Sequence, residues 1–502
     1  MTDYTKKSIT FSTTADIKTL DPQLASTSGE ITAVINLFDG LMKQGEDGKP
    51  KPAAAQSYTV SDDRLTYTFT LCENMLWATD DEENKVYVTA DDFVFGLTRA
   101  VLPETKAPFV GLLYSIKNAK SIASGKMSPK KLGVVAKDSK TVEITLNRPD
   151  HNFLKTLCHA VAMPCNKAFF DSTNGKYGLD GDSVLCNGAY YLKKWNNEDN
   201  YLSLSRFSEY NGEKALPASV SLLFSRDYQT ISDSLSSDDI NMGILSGDYA
   251  STLDDGYKKQ TFYNTSYVML FSKNMPKKLR RALMIDTNLE AIQLNLPEYY
   301  DKSASLIPIS AVEGDENYRK TAGELKLADY DQKTAQNLMK EIKSESESPL
   351  EYSDYTLYYP SGDNDVKKSA GLIVSQWQNE LNAFINAEET DADTILQKLQ
   401  SGEINAAIVP ITTVTGTAYD SLETLSMLGF SDFNSKLANI SDDISKCCEQ
   451  MKSAEQSLID DYYALPLFCE PEFCCMSDSV NNAIFSASGS YVDFSSIKKE
   501  DN

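Results

Sequence analysis

Alternating apolar and polar residues predict β-strands in the first third of the chain. Leu65–Leu71 alternates strictly with a period of two, Val142–Leu146 repeats the pattern, and Ser8–Phe11 is a shorter run of the same kind. Between the two longer runs, Thr89 is a candidate N-cap for a helix that Pro103 brings to an end. The early part of the chain is therefore expected to be rich in β-structure.

The second half of the chain carries longer runs with the period of amphipathic helices. The pattern predicts helices over residues 278–284, 331–342, 365–381 and 394–399, and strands over residues 355–359 and 406–409. Because strands alternate with helices here, we expect a parallel sheet. The predicted fold class is α/β, with a β-rich insertion in the early part of the chain.

Composition and charge narrow the class of protein. A length of 502 residues exceeds one compact domain, so two or three domains are expected. The content of 41% hydrophobic and 10% aromatic residues excludes a disordered chain. The 72 acidic residues outnumber the 48 Lys and Arg and leave a net charge of −24, which disfavours nucleic acids and anionic membrane surfaces as partners.

Cysteine and histidine limit the chemistry that the chain can perform. The two histidines, His151 and His159, disfavour a catalytic triad that depends on histidine. The cysteine count is odd, so at least one thiol has no partner within the chain. Zinc ligation, disulfides and inert buried thiols all remain open, although no C-x-x-C motif is present. The nine cysteines are Cys72, Cys158, Cys165, Cys186, Cys447, Cys448, Cys469, Cys474 and Cys475.

Eight segments, in the same order over more than 400 residues, resemble motifs of the family-5 extracellular solute-binding proteins of ABC importers. This family is best known for oligopeptide and dipeptide binding. The matches are residues 20–22 ("LDP"), 37–41 ("LFEGL"), 51–58 ("PxxAESW"), the strand 67–71, Trp77 with 88–94 ("W…VTAxDFV"), 132–134 with 141–146 ("LGVKA…TLEVTL"), 187–190 ("NGAY") and 454–468 ("AExxLxxDxxxxPLY"). The resemblance covers almost the whole chain.

The resemblance implies a two-lobed periplasmic-binding-protein-like fold of type II, cluster C, with an extra inserted subdomain. Two crossing segments join the lobes, which close around a ligand cleft like a hinge. By position, lobe I is expected to hold residues 1–45, 166–262 and 472–502. The inserted subdomain is expected to cover residues 46–165, and lobe II residues 263–471.

The resemblance also marks positions that are expected to touch a ligand. Peptide binders of this family hold an extended ligand through main-chain hydrogen bonds, which are indifferent to side chains. The corresponding residues here are Ser26, Thr27, Ser28, Gly29, Glu30, Phe109, Tyr267, Met269, Ile411, Thr412, Thr413, Val414 and Thr415. For Phe109, Tyr267 and Met269, ordinary core packing is an open alternative.

Lobe II departs from the pattern of peptide-binding relatives. These usually carry "W-x-x-D-Y", whose Asp pairs with the α-ammonium of the peptide, whereas Val414 occupies the Asp position here and Ile411 the Trp position. A buried ammonium without its carboxylate would be an uncompensated charge. Either the ligand lacks a free amino terminus at this point, or another acid such as Glu30 supplies the charge.

The implied function is that of a receptor which captures peptides or peptide-like solutes and delivers them to the permease subunits of an ABC importer. No cofactor, no metal and no nucleic-acid partner are expected, and the receptor is expected to be a monomer. A non-peptide solute, or a ligand sensor that is not coupled to import, stays open within the same fold. An enzyme is disfavoured, because acidic runs such as Asp460-Asp461 are sequence neighbours and do not establish two carboxylates facing each other.

Localisation is inferred from the start of the chain and from the resemblance together. Residues 1–14 contain neither the apolar stretch nor the cleavage site of a signal peptide, so a cytoplasmic protein and a secreted protein without its leader both fit. The resemblance favours a lipoprotein anchored at the cell surface, whose leader and lipid-attachment Cys we expect to precede Met1. Oxidising surroundings then predict at least one disulfide, first Cys158–Cys165 and second a link from Cys447 or Cys448 to Cys469, Cys474 or Cys475.

Overall fold

The computed structural model describes residues 3–78, 85–196, 200–345, 355–438, 440–486, 489 and 491–500. The chain divides into unit 1, which comprises Met1–Thr261 and Glu472–Asn502, and unit 2, which comprises Phe262–Pro471. It passes between the units within two long strands, Tyr257–Phe271 and Ala464–Ser477. Within the described ranges, no helix combines the length and the apolar character needed to cross a bilayer.

Unit 1 begins with elements that lead into an antiparallel sheet of four strands. The first elements are β1 (Ser8–Thr13), α1 (Ser28–Leu37) and the paired strands β2 (Met42–Gln44) and β3 (Pro50–Pro52). The sheet has the order β4-β5-β7-β6 and consists of β4 (Ala55–Val60), β5 (Thr66–Leu71), β6 (Val134–Asp138) and β7 (Thr141–Thr145). Its helices are α2 (Ala90–Ala100), α3 (Ala119–Ala123) and α4 (Phe153–Thr156). This segment is β-rich because its strands alternate between buried and exposed residues, as Thr66–Leu71 does.

The main sheet of unit 1 contains parallel strands. It has the order β11-β1-β10-β9-β8. Strand β1 pairs in parallel with both β10 and β11, so β10 and β11 run in the same direction. A helix connects β10 to β11, because parallel strands need a crossover connection. The elements are α5 (Lys167–Ser172), β8 (Tyr190–Asn196), β9 (Tyr201–Arg206), β10 (Ser219–Phe224), α6 (Tyr228–Ser236), β11 (Met242–Ser246) and α7 (Gly247–Thr252).

Unit 2 is built on a sheet with the order β16-β15-β17-β12. Strand β15 pairs in parallel with β16 and β17, whereas β12 pairs antiparallel with β17. The elements are β12 (Tyr257–Phe271), α8 (Lys277–Asp286), α9 (Leu289–Gln293), β13 (Val312–Glu313), β14 (Glu316–Asn317), α10 (Tyr318–Ala322), α11 (Gln332–Glu345), β15 (Thr356–Pro360), α12 (Asn364–Leu381), β16 (Asn386–Thr390), α13 (Ala392–Ser401), β17 (Ala406–Thr412), α14 (Ala418–Ser426), α15 (Ser431–Leu437), α16 (Ile444–Asp460) and β18 (Ala464–Ser477).

The last segment of the chain belongs to unit 1. Residues 472–476 of β18 pair antiparallel with β11. Four short strands follow, and they pair as β19 with β22 and β20 with β21: β19 (Val480–Asn481), β20 (Ile484–Phe485), β21 (Val492–Asp493) and β22 (Lys498–Lys499). Short 3₁₀ helices elsewhere in unit 1 are Tyr4–Lys6, Val110–Leu113, Pro129–Lys131, Ala160–Ala162 and Gly181–Ser183.

The core of unit 2 lies on both faces of its sheet. Successive side chains of a strand point to opposite faces, so Met269 and Phe271 of β12 join one buried cluster with Trp377. Val268 and Leu270 join a second buried cluster with Val409 and Ile411. Because both faces are covered here, residues 267–271 of β12 and residues 406–411 of β17 are nearly continuous in apolar residues.

The predicted elements agree closely with the structure. The alternating runs are β1, β5 and β7, and the predicted helix after Thr89 is α2, which begins at a capping box of Thr89 and Asp92. The four helices predicted in the second half are α8, α11, α12 and α13, and the two strands are β15 and β17. The α/β prediction with parallel strands is thereby confirmed.

The expectation of a disulfide is wrong for this structure. The nine cysteines, all of which lie in the described ranges, form no disulfide. The short 3₁₀ turn Ala160–Ala162 separates Cys158 from Cys165 and leads them into different surroundings. The Cys158 thiol donates to the Leu154 carbonyl oxygen at 3.4 Å, whereas Cys165 lies beside Arg99 and Tyr177. Closeness in sequence did not bring the two sulfurs together.

Candidate functional site

The first predicted ligand segment, Ser26–Glu30, forms the start of helix α1. Thr27 is the N-cap, and its hydroxyl oxygen accepts the Glu30 amide hydrogen at 3.1 Å. The Thr27 hydroxyl also donates to the carbonyl oxygen of Asp16 at 2.9 Å, which ties the cap to the preceding loop. Gly29 packs so tightly that a Cβ atom would lie 2.6 Å from the Ala15 carbonyl oxygen. Ser26 is exposed, and Ser28 is half-buried.

The Glu30 carboxylate is occupied by the chain itself. Its Oε1 accepts amide hydrogens from Lys18 and Thr19 at 2.9 and 3.2 Å. Its Oε2 accepts the amide hydrogens of Ser26 and Thr27 at 2.7 and 3.1 Å, and the Ser26 hydroxyl at 3.2 Å. Only 1% of the residue is exposed. Glu30 therefore holds this loop in place, and its carboxylate is not available to compensate a ligand ammonium.

Phe109 lies on a separate segment of unit 1, against a buried histidine. Its ring packs edge-on with the ring of His159, at a centroid distance of 4.9 Å and an angle of 79°. Burial lowers the pKa of His159 to about 3, so the imidazole is neutral. No hydrogen bond or ring contact among the described residues joins Phe109 to Ser26–Glu30. Phe109 itself is half-buried, which leaves part of its ring available for contact.

Tyr267 and Met269 face the same side of strand β12 and differ in what surrounds them. Met269 is fully buried in the core of unit 2. Tyr267 is buried as a ring but has a polar end, because its hydroxyl donates to Oδ2 of Asp363 at 3.0 Å. Burial and the nearby carboxylates of Glu470 and Asp363 raise the pKa of Tyr267, which keeps its hydroxyl protonated.

A group of carboxylates and tyrosines around Tyr267 was not found from the sequence. The Tyr300 hydroxyl lies 3.3 Å from Oδ2 of Asp365 and 3.4 Å from Oε1 of Glu470. The ring of Phe468 packs against both tyrosine rings, at 5.2 Å from Tyr267 and 5.3 Å from Tyr300. These residues come from β12, the loop after α9, the start of α12 and β18, so no local pattern relates them. We name Tyr267, Tyr300, Asp363, Asp365, Phe468 and Glu470 the tyrosine–acid cluster.

The segment Ile411–Thr415 continues strand β17 and then forms a turn. Ile411 and Thr412 still belong to the strand, and Ile411 is fully buried in the core. Thr412 pairs with Thr265, and Pro410 pairs with Tyr267, so the two predicted segments of unit 2 are neighbours in one sheet. Thr412 is exposed, and Val414 and Thr415 are half-buried.

Asp420, at the start of helix α14, organises that turn. Its Oδ2 accepts the amide hydrogens of Val414 and Thr415 at 3.1 and 2.7 Å, and the Thr415 hydroxyl at 2.6 Å. Its Oδ1 accepts the Thr413 hydroxyl at 2.7 Å. Burial raises the pKa of Asp420, although these hydrogen bonds oppose the shift. The Asp420 carboxylate therefore lies near Val414, but both of its oxygens are hydrogen-bonded to residues of the turn.

Comparison with known protein families identifies the family of this chain. The sequence profile of the bacterial extracellular solute-binding proteins, family 5 (middle region), matches residues 49–430. The chain belongs to this family. Family-5 proteins are extracellular solute-binding proteins of transport systems, so this chain is a solute-binding receptor. The resemblance inferred from its motifs is confirmed.

Individual relatives of this family-5 protein cover different shares of its length. Dipeptide-binding protein DppE of Bacillus subtilis is 25% identical over 384 residues, which cover 75% of this chain and 69% of DppE. Periplasmic murein peptide-binding protein MppA of Escherichia coli is 37% identical over 177 residues, or 35% of this chain and 32% of MppA. The probable deoxycholate-binding periplasmic protein YgiS of Escherichia coli is 33% identical over 183 residues, or 36% of this chain and 33% of YgiS.

Solved structures confirm the two-lobed α/β fold of this family-5 protein. The pheromone receptor PrgZ matches with a TM-score of 0.81 at 22% identity, over 99% of this chain and 100% of PrgZ. Listeria monocytogenes OppA bound to peptide matches with a TM-score of 0.79 at 23% identity, over 99% of this chain and 100% of OppA. At such identities the likeness concerns the fold alone.

Proposed function

We propose that this protein is an extracytoplasmic receptor that captures peptides or peptide-like solutes and delivers them to the permease subunits of an ABC importer. The observation that carries the proposal is the match to the solute-binding family over residues 49–430. Relatives named for dipeptide and murein peptide binding support the peptide class. The protein works without enzymatic activity and without a cofactor, as a monomer, and it does not bind nucleic acid.

We propose that the receptor is a lipoprotein anchored at the cell surface. The support is the extracellular character of the family. Lobe I would hold residues 1–45, 166–262 and 472–502, the inserted subdomain residues 46–165, and lobe II residues 263–471. Closure of the two lobes would bury the solute, because hinge closure around a ligand is a recurring transition in binding proteins.

The segments that we propose to contact the solute carry polar groups on their main chains or side chains. In unit 1 these are Ser26–Glu30 and Phe109, and in unit 2 they are Tyr267, Met269 and residues 411–415. Met269 and Ile411 have no exposed surface, so we assign them to the support of the neighbouring backbone rather than to direct contact. A ligand paired through main-chain groups would be accepted with many different side chains.

A second candidate is a non-peptide solute in the same site. Val414 favours it, because a peptide with a free amino terminus finds no carboxylate at that position. The relative YgiS, named for deoxycholate, supports a wider range of solutes for the family. A sensor that is not coupled to import is compatible with the same fold.

The decisive experiment is to identify the solute that purifies with the protein. Protein isolated under native conditions is denatured, and the released small molecules are analysed by mass spectrometry. Peptides are expected, and synthetic copies should bind the refolded protein in calorimetry and reduce its radius in small-angle scattering. Recovery of one non-peptide compound that rebinds, while peptides do not, would overturn the peptide assignment and leave the family assignment intact.

A further inference from the structure

Unit 2 holds the buried carboxyl group of Asp286 close to the half-buried carboxyl group of Glu380. Asp286 is the last residue of helix α8, and Glu380 is near the end of helix α12. Asp286 is 0% exposed, and burial together with the nearby Glu380 carboxyl raises its pKa. The Asp331 amide donates to the Ile285 carbonyl oxygen at 2.9 Å and the Tyr330 hydroxyl to Oε2 of Glu380 at 2.7 Å, so two adjacent residues join the helix ends that carry the two carboxyl groups. Within the described residues, no N–H or O–H donor reaches either carboxylate oxygen of Asp286. A buried carboxylate left in this condition would be strongly destabilising.

A hydrogen bond between the two carboxyl groups requires a proton. Two ionised carboxylates can only accept hydrogen bonds, so they repel each other, whereas one protonated carboxyl can donate to the other. The Tyr330 hydroxyl donates to Oε2 of Glu380 at 2.7 Å, so this oxygen already acts as an acceptor. Asp286 has no such donor among the described residues and lies at a helix C-terminus, where the helix dipole disfavours negative charge. The proton therefore belongs on Asp286.

Among the described residues, the groups that contact the pair or its helix ends are neutral or acidic. The segment before helix α11 contributes the Tyr330 hydroxyl and Asp331, whose carboxylate is occupied by the Thr334 amide and hydroxyl at 3.0 and 2.6 Å. Helix α11 contributes the neutral amide of Gln336, which donates to the Glu380 carbonyl oxygen at 3.0 Å. In the part of the chain that the structure describes, no Lys, Arg or His forms an ion pair with Asp286 or Glu380.

We propose that Asp286 and Glu380 form a proton-binding site that joins the ends of helices α8 and α12, and that unit 2 is destabilised when this proton is lost. In the folded protein, the Asp286 hydroxyl donates to the Glu380 carboxylate. Loss of the proton replaces that hydrogen bond by repulsion between the buried Asp286 anion and the half-buried Glu380 carboxylate. The site is independent of solute binding and does not rest on the proposed function.

The direction of the pH effect follows from the state of Asp286 in the two forms of the chain. Burial and the charge of Glu380 raise the pKa of Asp286 to about 7, from an unfolded value of 3.8. Between these two values the folded protein holds a proton that the unfolded chain releases. Stability contributed by this site is therefore present at low pH, falls as pH rises through this window, and is lost above the folded pKa.

The test compares Asp286→Asn with the wild-type protein over a range of pH. The amide of the introduced asparagine can donate to Glu380 at every pH, so the variant should lack this pH dependence. We expect the melting temperature of the wild type to fall relative to Asp286→Asn by about 5 °C between pH 5 and pH 8. Asp331→Asn is the matched control, since it removes a neighbouring carboxylate that is already hydrogen-bonded, and should give no such relative change in this range.

A second measurement keeps the test decisive if Asp286→Asn does not fold. Infrared spectra of the wild type should show the C=O band of a buried protonated carboxyl at pH 6, and this band should disappear by pH 9. Glu380→Gln should change the position of that band. Absence of the band at pH 6, or equal pH dependence of the wild type and Asp286→Asn, would overturn the proposal. Restoration of the wild-type melting temperature at pH 8 by Na⁺ or Ca²⁺, without the band, would overturn it in favour of a cation in place of the proton.

Discussion

The Tyr267 hydroxyl donates a hydrogen bond of 3.0 Å to Oδ2 of Asp363, which joins strand β12 to the start of helix α12. The other oxygen of Asp363 caps that helix by accepting the amide hydrogens of Asp365 and Val366 at 2.8 and 3.0 Å. One carboxylate thus positions both a helix N-terminus and a residue proposed to contact the solute. The position of the Tyr267 ring depends on a residue that lies far away in the sequence.

Removal of the Tyr267 hydroxyl should destabilise unit 2. Tyr267→Phe keeps the ring packing against Phe468 and deletes only the hydrogen bond to a charged group, which contributes about 1.5–3 kcal/mol. Urea denaturation should show a lower midpoint for this variant. Tyr87→Phe, at an exposed tyrosine, is the matched control and should leave the midpoint unchanged. Equal midpoints for both variants would show that the hydrogen bond contributes nothing.

Substitution of Glu30 should affect stability and leave ligand preference unchanged. Glu30→Gln turns an acceptor into an amide group that faces backbone N–H donors, so at least one buried donor loses its partner, at a cost of about 1–3 kcal/mol. Thermal unfolding should begin at lower temperature than in the exposed control Glu104→Gln. If Glu30→Gln instead folds normally and weakens binding of peptides with free amino termini, then Glu30 does compensate the ammonium.

Val414 should make the receptor indifferent to a free amino terminus. If peptides bind, a peptide and its N-acetylated form should bind within about threefold of each other, because no carboxylate is available at this position. Val414→Asp should favour the free form by about tenfold or more, through a charge-assisted hydrogen bond. Val414→Asn is the matched control without charge. Calorimetry with both peptides measures the ratio, and a strong wild-type preference for the free amine would contradict this expectation.

The nine cysteines should all be present as thiols, and they should react at very different rates. In denaturant, a thiol reagent should count nine groups, because the structure has no disulfide among these cysteines, all of which it describes. In the native protein Cys72 should react first, since it alone is half-buried and the others are buried. Burial also raises the pKa of Cys186 to about 12, which keeps that thiol unreactive. Cys72→Ser should remove the fast phase, and a denatured count of about seven or fewer would indicate a disulfide.

Local patterns predicted much of the fold correctly because they depend on neighbouring residues only. The alternation in Leu65–Leu71 reflects a strand with one buried face, and it holds wherever that strand is placed. The Thr89 cap likewise depends on Asp92, three residues away. The order of the family motifs was also readable from the chain, and that order alone indicated the solute-binding family.

The roles of individual carboxylates were decided by the tertiary structure alone. Glu30 was a candidate partner for a ligand ammonium, and only the folded loop shows that amides of four residues occupy its oxygens. Asp420 holds the turn that contains Val414, and Asp363 holds Tyr267. A charged side chain has the same sequence letter whether it is satisfied by its own chain or available to a ligand, so the pattern cannot separate the two.

The sequence by itself determined the α/β class, the bounds of most of the predicted elements and the family. Only the tertiary structure decided that the nine cysteines form no disulfide, that the tyrosine–acid cluster assembles, and that Asp286 is buried near Glu380. The physical reason is that secondary structure follows from interactions along the chain, whose spacing is visible in the sequence. Burial and pairing of polar groups follow from contacts between distant segments, and these are set by how the helices and strands pack.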